Sequence, residues 1–501
     1  MTNDKVTIST GSLASLAQRI LLATSDGRLA AMVVHPNGGD GADLDVVVVS
    51  GSEIEIIRAP LGSNQMNYPS LSPRLPAAMW YEREIHDTYA LIADGHPDLS
   101  PLVSRPDGLS KLDQRRQDGK NQDSKVAMGN VHGEGIFSIP YGPVRSGIFE
   151  SIEYRVYSFG EDIPLVEVRP YYKRREVDRC FGQMTPEDGV LLAERVEGTS
   201  SVAHALAYCQ GLEDLGSARP PRVAELGRVI FAELERISNH LESMVRHTEA
   251  AGQAVAYARL SLAKERVMRL RSALSGHRFS RGAVIPGGLS APLALTPEEI
   301  IVAITDIEKA AFSDIEALMA TPSFLDRLRN AGKITVAEAS AIGAVGPIAR
   351  ASGINEDLRE TRPYGGYRYL GFTPAAPMNQ GDALARALIR IEEMHESFYL
   401  IRQAADEIAE IAEIEPALLN PEAWRCDFEV EDGFIVSSVE SPQGELLYFL
   451  EVSDGKLKWV RSRCASFHNM ALFPTAFKGD ILTDFAFIEA SFGLCIAGVA
   501  G

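Results

Sequence analysis

The chain has 501 residues, of which 45% are hydrophobic and 23% are charged, a composition typical of a globular protein. Its formal net charge of −19 argues against a nucleic-acid-binding surface, which needs clustered lysine and arginine. No N-terminal segment has the pattern of a signal peptide, and no apolar run reaches the roughly 20 residues that span a bilayer. We therefore expect a cytoplasmic protein whose membrane association comes only through partners.

The cysteines form no metal-binding pattern. Each of the five is more than four residues from the next, so no CxxC pair is present to hold zinc or an iron–sulfur cluster. An odd number of cysteines without a signal peptide indicates a reducing compartment. The expected role for all of them is that of small buried hydrophobic residues. They are Cys180, Cys209, Cys426, Cys464 and Cys495.

Residues 1–103 have the pattern of one small α/β domain. SLASLAQRILLA has helical periodicity, LDVVVVSG and SEIEIIRA are typical of strands, and AAMWYEREIHDTYALI is again helical. Residues 104–130 follow as a polar linker, because Asp113–Lys125 contains no apolar residue at all. We place the domain boundary in this linker.

Residues 131–501 form the second predicted domain, which is mainly helical with peripheral sheets. FESIEYRVYSFGEDIPLVEVRPYY contains two strand-like runs, and GELLYFLEVSDGKLKWVRSR predicts a hairpin that turns at Asp454 and Gly455. The clearest helix is Arg222–His247, whose apolar residues recur at steps of three and four. Further helices are predicted near 253–276, 296–318, 335–342 and 379–412. The predicted fold class is α+β.

The stretch AERVEGTSSVAH, residues 193–204, is the first candidate for chemistry. If it turns into a helix, Glu197, Ser200 and His204 share one face, because they are spaced by three and four residues. Such a face is able to bind protons or a polar head group. The spacing alone favours a simpler interpretation, in which Ser200 or Ser201 caps the helix and Glu197 is solvated.

Three more stretches combine charge with unusual backbone residues. The glycines of SGHRFSRGAVIPGGL, residues 275–289, indicate that the backbone closely approaches another group. The alternative interpretation is an ordinary loop with exposed arginines. GPIARASGINEDLRETRPYGGY, residues 346–367, predicts a buried ion network or a face for a partner. YEREIHDTYALIADGHPDLSPL, residues 81–102, is best interpreted as a docking surface.

These stretches together resemble one superfamily. Residues 131–501 are similar to the large subunit of [NiFe]-hydrogenases, in the branch shared with the 49 kDa subunit of respiratory complex I. The motifs RVIFAELERISNHL, SGHRFSRGAVIPGGL, GPIARASGINEDLRETRPY and GDALARALIRIEEMHESF carry this resemblance. Residues 1–103 resemble the 30 kDa subunit of complex I, through WYEREIHDTYALIADGHPDLSPLV. A fusion of the two is typical of formate hydrogenlyase and hydrogenase-4-type large subunits.

The resemblance implies that the metal ligands of a hydrogenase are missing. In that family, four cysteine thiolates in two CxxC motifs bind nickel and iron, which prefer soft sulfur ligands. Here Arg195, Gly198 and His204 match the first motif, but Glu197 and Ser200 stand at its cysteine positions. In the second motif Cys495 matches and Gly498 replaces the other cysteine. We therefore expect no [NiFe] centre, and the end of the chain at Gly501 suggests that no extension is cleaved during metal maturation.

The 49 kDa subunit of complex I also lacks these cysteines and holds quinone in the emptied pocket, beside a [4Fe-4S] cluster of a neighbouring small subunit. In YGPVRSGIFE, Arg145 stands where that subunit has a quinone-binding histidine, and His132 lies outside the motif. The resemblance implies that Glu197, His204 and Arg145 act in such a pocket. Tyr141, Ser200, Arg195, Arg281 and Cys495 are its further candidate residues.

Two functions remain open at this point. One is an oxidoreductase subunit that passes electrons from a partner's [4Fe-4S] cluster to quinone or another small acceptor. The other is a structural or coupling subunit with a vestigial pocket, and a working hydrogenase is a third and weaker hypothesis. The expected partners are an iron–sulfur small subunit, antiporter-like membrane subunits and a dehydrogenase module.

Overall fold

The structure is a computed structural model, which describes residues 6–25, 27–37, 41–62, 65–104, 135–145 and 150–501. All but the first residue of the predicted linker 104–130 lies outside the described residues, as does His132. The strands are β1 (Val6–Thr10), β2 (Arg28–Asn37), β3 (Gly41–Ser50), β4 (Glu53–Leu61), β5 (Asn67–Pro69), β6 (Ile92–Asp94), β7 (Phe137–Tyr141), β8 (Glu153–Ser158), β9 (Leu165–Arg169), β10 (Val284–Ile285), β11 (Gly288–Leu289), β12 (Gly433–Ser441), β13 (Gly444–Ser453) and β14 (Lys456–Arg463).

The helices account for most of the second domain. They are α1 (Leu13–Ala23), α2 (Met79–Tyr89), α3 (Val177–Cys180), α4 (Pro186–Ala193), α5 (Ser201–Leu215), α6 (Arg222–Ala250), α7 (Ala254–Ser275), α8 (Pro297–Met319), α9 (Pro322–Leu328), α10 (Val336–Ile342), α11 (Gly346–Ala351), α12 (Leu358–Thr361), α13 (Ala383–Ile414), α14 (Ala465–Met470), α15 (Phe485–Phe492) and α16 (Ile496–Ala500).

The N-terminal domain is a four-stranded sheet in the order β1-β4-β3-β2, with α1 packed against β4. β1 pairs parallel to β4 and the other strands pair antiparallel. The valine run of β3 is buried almost throughout, because β3 is a central strand covered on both faces. The predicted helices and strands of this domain are confirmed.

The second domain is built around the long helix α6, which packs against α7, α13 and α15. The helix α6 is confirmed, but nearly the whole of it is buried, whereas its apolar periodicity predicts burial of one face only; the other predicted helices are confirmed within a few residues. Thr296 begins α8 with a capping box completed by Glu299. The structure confirms the α+β class.

The antiparallel sheet β12-β13-β14 packs against α5 and completes the site described below. The predicted hairpin is confirmed: Asp454 and Gly455 join β13 to β14 with φ of 52° and 66°. α5 lies close to this sheet because position 211 is glycine, where a Cβ atom would lie 2.5 Å from a Leu450 methyl.

The two domains are held together by buried polar contacts. Glu84 of α2 pairs with Arg461 and Arg463 of β14, and the Tyr81 hydroxyl lies 2.8 Å from His468 Nε2. The predicted docking surface at residues 81–102 therefore packs against the second domain of the same chain. Arg28 Nε also contacts Glu356 at 3.1 Å.

Two further predictions have clear outcomes. In residues 275–289, Cβ atoms at Gly287 and Gly288 would lie 2.2 Å from the carbonyls of Cys426 and Trp424, so the close backbone approach is confirmed. Burial of all cysteines is wrong for Cys180, which is exposed; Cys209, Cys464 and Cys495 are buried. Within the described part of the chain, no helix has the length and apolar character needed to cross a membrane.

Candidate functional site

The turn between α4 and α5 carries the first candidate residues. Ser200 occupies the N-cap position of α5, but its side chain makes no capping hydrogen bond and donates instead to Gln443 Oε1 at 3.0 Å. The carboxylate of Glu235 accepts from Val202 N and Ala203 N at 2.8 and 3.0 Å and so caps the helix. The interpretation of Ser200 as the cap with Glu197 solvated is wrong, because Glu197 is 2% exposed.

Glu197 and His204 form a buried pair, with Glu197 Oε2 3.8 Å from His204 Nε2. The other imidazole nitrogen, Nδ1, lies 2.8 Å from the hydroxyl of Tyr448 on β13. Glu197 Oε1 and His204 Nε2 have no hydrogen-bond partner among the described residues. An unsatisfied buried polar atom costs about 1–3 kcal/mol, so two of them in one place mark a position prepared for a proton or a ligand.

Glu197 also faces Cys464 and Gly498. A Cβ atom at position 498 would lie 1.7 Å from Glu197 Oε1 and 2.7 Å from Cys464 Sγ. Real atoms never approach so closely, so the Glu197 carboxylate occupies the space that a side chain at position 498 would need. Burial, reinforced by the negative charge of Glu197, raises the pKa of the Cys464 thiol well above its usual value, which keeps this thiol protonated.

Cys495 lies in the same cluster. Burial and the charge of Glu197 raise its pKa as well, and its Sγ lies 3.4 Å from Glu150 Oε2. Glu150 Oε2 also accepts from Ile496 N at 2.6 Å and from Ala497 N at 3.2 Å, at the start of α16. Glu150 therefore fixes the segment that brings Cys495 and Gly498 to Glu197.

The residues present do not fit the [NiFe] centre that the resemblance implies for hydrogenases. Three of the four thiolate positions hold Glu197, Ser200 and Gly498, and the Glu197 carboxylate fills part of the ligand space. Cys464 adds a sulfur atom from a different segment, but it lies against Glu197 as a protonated thiol. Soft sulfur donors are too few here to hold nickel and iron together.

Arg145 and Tyr141 form a second group. Arg145 Nη1 donates to both carboxylate oxygens of Glu489 at 2.8 Å. Its guanidinium lies over the rings of Tyr141 and Tyr154, at 5.1 and 5.5 Å from their centroids. Arg145 is therefore held by α15 and by two aromatic rings, and its charge is already balanced by Glu489.

The two remaining predicted residues, Arg195 and Arg281, differ in where their side chains lie. Arg195 is half exposed, lies 3.7 Å from Glu194 and donates to the carbonyl of Leu191, so its side chain points to the surface. Arg281 Nη2 lies 4.0 Å from the Cβ position of Gly198, next to the turn that carries Glu197. The structure thus brings together Glu197, His204 and Cys495, with Ser200 beside them, and leaves Arg195 outside.

Sequence reasoning missed several members of the site. Gln443, Tyr448 and Cys464 contact the predicted residues, and Glu235 caps the helix that carries His204. Glu235 follows the apolar position Leu234 and lies off the apolar stripe of α6, so the periodicity predicts an exposed side chain; in the structure it is buried and pairs with Arg271 at 3.2 Å. The others lie more than 200 positions from Ser200 and carried no local signal.

A cavity of about 460 Å³ opens between α6 and α7 beside this site. Its lining includes Thr199, Asn239, Arg271, Arg278 and Phe279. Asn239 donates to the Thr199 carbonyl at 2.8 Å and accepts from Gln443 at 3.1 Å. Gln443 in turn accepts from Ser200, so this hydrogen-bonded row leads from the cavity to the turn that carries Glu197.

The comparisons with known proteins define a class: oxidoreductase subunits of the hydrogenase and complex I type, with a fused N-terminal domain. The family model of the respiratory-chain NADH dehydrogenase 49 kDa subunit matches residues 251–500, and that of the 30 kDa subunit matches residues 19–117. The chain belongs to this family, as a fusion of the two subunit types.

Its relatives include both hydrogenases and complex I proteins. Membrane-bound hydrogenase subunit alpha of Pyrococcus furiosus is 30% identical over 369 residues, which cover 72% of this chain and 86% of the relative. Formate hydrogenlyase subunit 5 of Escherichia coli is 25% identical, covering 88% of this chain and 78% of the relative. The fused C/D protein of the NADH-quinone oxidoreductase of Bdellovibrio bacteriovorus is 26% identical, covering 88% of this chain and 84% of the relative.

Proposed function

We propose that this chain carries the acceptor site of a complex I-like, hydrogenase-related oxidoreductase. A [4Fe-4S] cluster of a partner small subunit supplies the electrons, and quinone or another small acceptor takes them. The observation that carries the proposal is the buried Glu197–His204 pair, whose Oε1 and Nε2 atoms have no hydrogen-bond partner among the described residues, within the segment where the resemblance implies a metal-ligand motif.

The chemistry suits such a pair. Reduction of a quinone to a quinol consumes two electrons and two protons, so the site needs groups that hold protons. Glu197 and His204 are a carboxyl and an imidazole 3.8 Å apart, with Tyr448 fixing the orientation of the ring. Because the pair is shielded from water, a charge that develops on a bound acceptor would interact with it more strongly than in solution.

The cavity between α6 and α7 offers the approach to this pair. Its volume of about 460 Å³ is within the range of small-molecule sites. The row Asn239–Gln443–Ser200 connects its lining to the turn of Glu197. We assign the cavity to the acceptor or to the partner subunit.

In this proposal, partner subunits hold the chain at the membrane. The relatives include a membrane-bound hydrogenase and NADH-quinone oxidoreductases. By analogy, the chain sits at the cytoplasmic face of a membrane, bound to antiporter-like subunits that translocate ions, with a dehydrogenase module as electron source. Hydrogenase activity is not expected, and elemental analysis of the purified complex should find no stoichiometric nickel; nickel at one atom per chain would overturn this.

A structural or coupling role is the second candidate, and one observation favours it. Glu197 is only 2% exposed and packs against Gly498, so the former ligand space is partly closed. In this case the chain transmits conformational change, and the Glu197–His204 pair does no chemistry.

Quinone analogues and cluster reoxidation distinguish the two candidates in the purified complex. Glu197→Gln, which keeps the shape of the side chain, should slow reoxidation while the complex stays assembled. Glu187→Gln is the matched control, because Glu187 is an exposed glutamate on the neighbouring helix α4. Unchanged reoxidation in both Glu197→Gln and Arg145→Ala would reject the acceptor site and favour the coupling role.

A further inference from the structure

A cluster of buried carboxyls and arginines lies on the side of α6 that faces α13. We name it the carboxyl–arginine cluster; its members are Glu233, Asp357, Glu393, Glu396 and Glu440 with Arg236, Arg350 and Arg359. It includes Arg350 and Arg359 of the stretch 346–367, where the sequence left a buried network or a partner face open, whereas Arg362 pairs with Glu445 outside the cluster. The structure confirms the buried network.

The contacts of the cluster are close and shared. Arg350 contacts Glu393 Oε1 at 2.6 Å, and Asp357 and Glu440 at 3.2 Å each. Arg359 contacts Asp357 at 2.8 Å and Glu233 at 3.2 Å. These guanidiniums thus each serve more than one carboxyl, so the protonation of one member alters the others.

The cluster holds more acids than cations. Five carboxyls share three guanidiniums, and Arg390 beside Glu393 adds only a fourth, with its donors on the carbonyls of Arg386 and Phe492. His240 lies 2.8 Å from Glu393, but burial lowers its pKa to about 4 and leaves it neutral. A fully ionised cluster would therefore bury uncompensated negative charge, which is costly.

Two members relieve this imbalance by binding protons. Burial raises the pKa of Glu396 to about 8, and burial together with the charge of Asp357 raises the pKa of Glu440 to about 7. For Glu233, Asp357 and Glu393, burial also opposes ionisation, but the arginines outweigh it and lower their pKa values.

Glu396 is the member that reaches water. Its side chain is 19% exposed, whereas the other members are at most 3% exposed. Its Oε2 lies 4.0 Å from Arg359 Nη2 and has no hydrogen-bond partner among the described residues. The charged groups that face it are Arg359 of α12, Arg350 of α11, Asp357 before α12 and Glu393 of its own helix.

At its inner end the cluster touches the segment that holds Ser200. Arg236 donates to the carbonyls of Glu440 and Ser441 at 2.8 and 3.0 Å. Gln443, two residues further on, accepts the hydrogen bond of Ser200. The charged groups that face Glu440 are Asp357, Arg350, Arg236 and Arg359.

We propose that the carboxyl–arginine cluster stores a proton, exchanged with solvent at Glu396, which it takes up when electrons reach the Glu197–His204 site. The uptake forms one carboxyl O–H bond with a proton from solvent, and that bond breaks again when the reduced acceptor leaves. The electrons come from the partner's iron–sulfur cluster. The coupling to electrons rests on the proposed function; the stored proton does not.

The stored proton is tested on the full chain alone, by its stability as a function of pH. The pKa of Glu396 in the folded chain, about 8, lies above the ordinary value of 4.5, so the folded state binds the extra proton between these values. Stability from this group is thus complete below about pH 4.5 and is lost as the pH rises through 8. Glu396→Gln should flatten this fall in melting temperature between about pH 5 and pH 8, and Glu392→Gln, an exposed glutamate on the same helix, should keep it.

Equal pH slopes in wild type and Glu396→Gln would overturn the proposal. If Glu396→Gln does not fold, Glu440→Gln takes its place, with the flattening expected between about pH 4.5 and pH 7. An unchanged slope in that variant would likewise overturn it.

The coupling is tested in the assembled complex, by proton uptake from a weakly buffered solution on reduction with dithionite. Wild type and Glu392→Gln should take up more protons per chain than Glu396→Gln near pH 8. Equal uptake would overturn the coupling. Because the stability test involves no turnover, a loss of the proposed acceptor site would leave its result intact, and the two failures can be told apart.

Discussion

Two buried glutamate–histidine pairs in this chain have the same separation and different surroundings. Glu82 and His96 of the N-terminal domain, and Glu197 and His204 of the second, each have Oε2 and Nε2 3.8 Å apart. All four side chains are at most 2% exposed. Burial and distance therefore do not distinguish one pair from the other.

Hydrogen bonding does distinguish them. The Glu82 carboxylate accepts from Leu71 N and Ser70 Oγ at 2.7 Å each and from Ser72, and His96 Nε2 donates to the Met79 carbonyl at 3.1 Å. The second pair leaves Glu197 Oε1 and His204 Nε2 unpartnered among the described residues. The satisfied pair closes a turn, and the unsatisfied pair is the one available for chemistry.

The largest effect is expected from breaking the satisfied pair. Glu82→Gln replaces an acceptor by an amide whose NH₂ faces several donors, and it should lower the free energy of unfolding by about 3–5 kcal/mol. Urea titration of the full chain measures this. Glu53→Gln, at an exposed position of β4, is the control, and a loss in Glu82→Gln no larger than in the control would contradict the assignment of Glu82 as structural.

Gly498→Cys restores the ligand position of the family and is expected to rank next. The new side chain overlaps the Glu197 carboxylate, so the substitution should cost about 2–3 kcal/mol. In the double variant with Glu197→Ala, most of this loss should be recovered, because the carboxylate no longer fills the space. Additive losses in the urea-derived double-mutant cycle would show that the two residues do not compete.

Glu197→Gln should change the rate more than the stability. Loss of a proton-transfer group costs about a hundredfold or more in turnover, or at least about 2.7 kcal/mol in the barrier. The unfolding free energy should stay within about 0.5 kcal/mol of wild type, because the unpartnered oxygen loses nothing. The opposite pattern, with stability lost and reoxidation unchanged, would make Glu197 equivalent to Glu82.

Ser200→Ala should have the smallest effect. It removes one neutral hydrogen bond to Gln443 Oε1, worth about 1 kcal/mol. Since Ser200 is not the helix cap, the loss should not exceed that of an ordinary buried hydrogen bond, and urea titration against Ser201→Ala checks this. A loss of about 2 kcal/mol or more would restore Ser200 to a capping role.

Most of the fold was predictable from local patterns. The helix α6 and the strands β3 and β4 follow from apolar periodicity, and the β13–β14 hairpin follows from Asp454-Gly455. What local pattern could not predict was the end of α2, where Ala90 takes a left-handed φ of 56° without glycine. The packed environment imposes that conformation against the preference of the residue.

The candidate site was predictable in part. The i, i+3, i+4 spacing and the resemblance together pointed to Glu197, Ser200 and His204, and the structure does place two of these in one buried pair. The spacing placed Ser200 as a cap, because an N-cap serine is the commoner solution for an isolated helix. Glu235, which lies on α6, takes over the capping of α5 from Ser200. Glu235 is too distant in sequence for a local pattern to predict this contact.

The sequence by itself determined the family and the order of the elements, since these depend on residue identity and near-neighbour spacing. Only the tertiary structure decided that Arg195 points outward, that Glu197 excludes a side chain at position 498, and which of two Glu–His pairs is satisfied. Those outcomes depend on which distant donors, acceptors and charges converge on one buried point. That convergence results from tertiary packing, and the residues adjacent in sequence do not predict it.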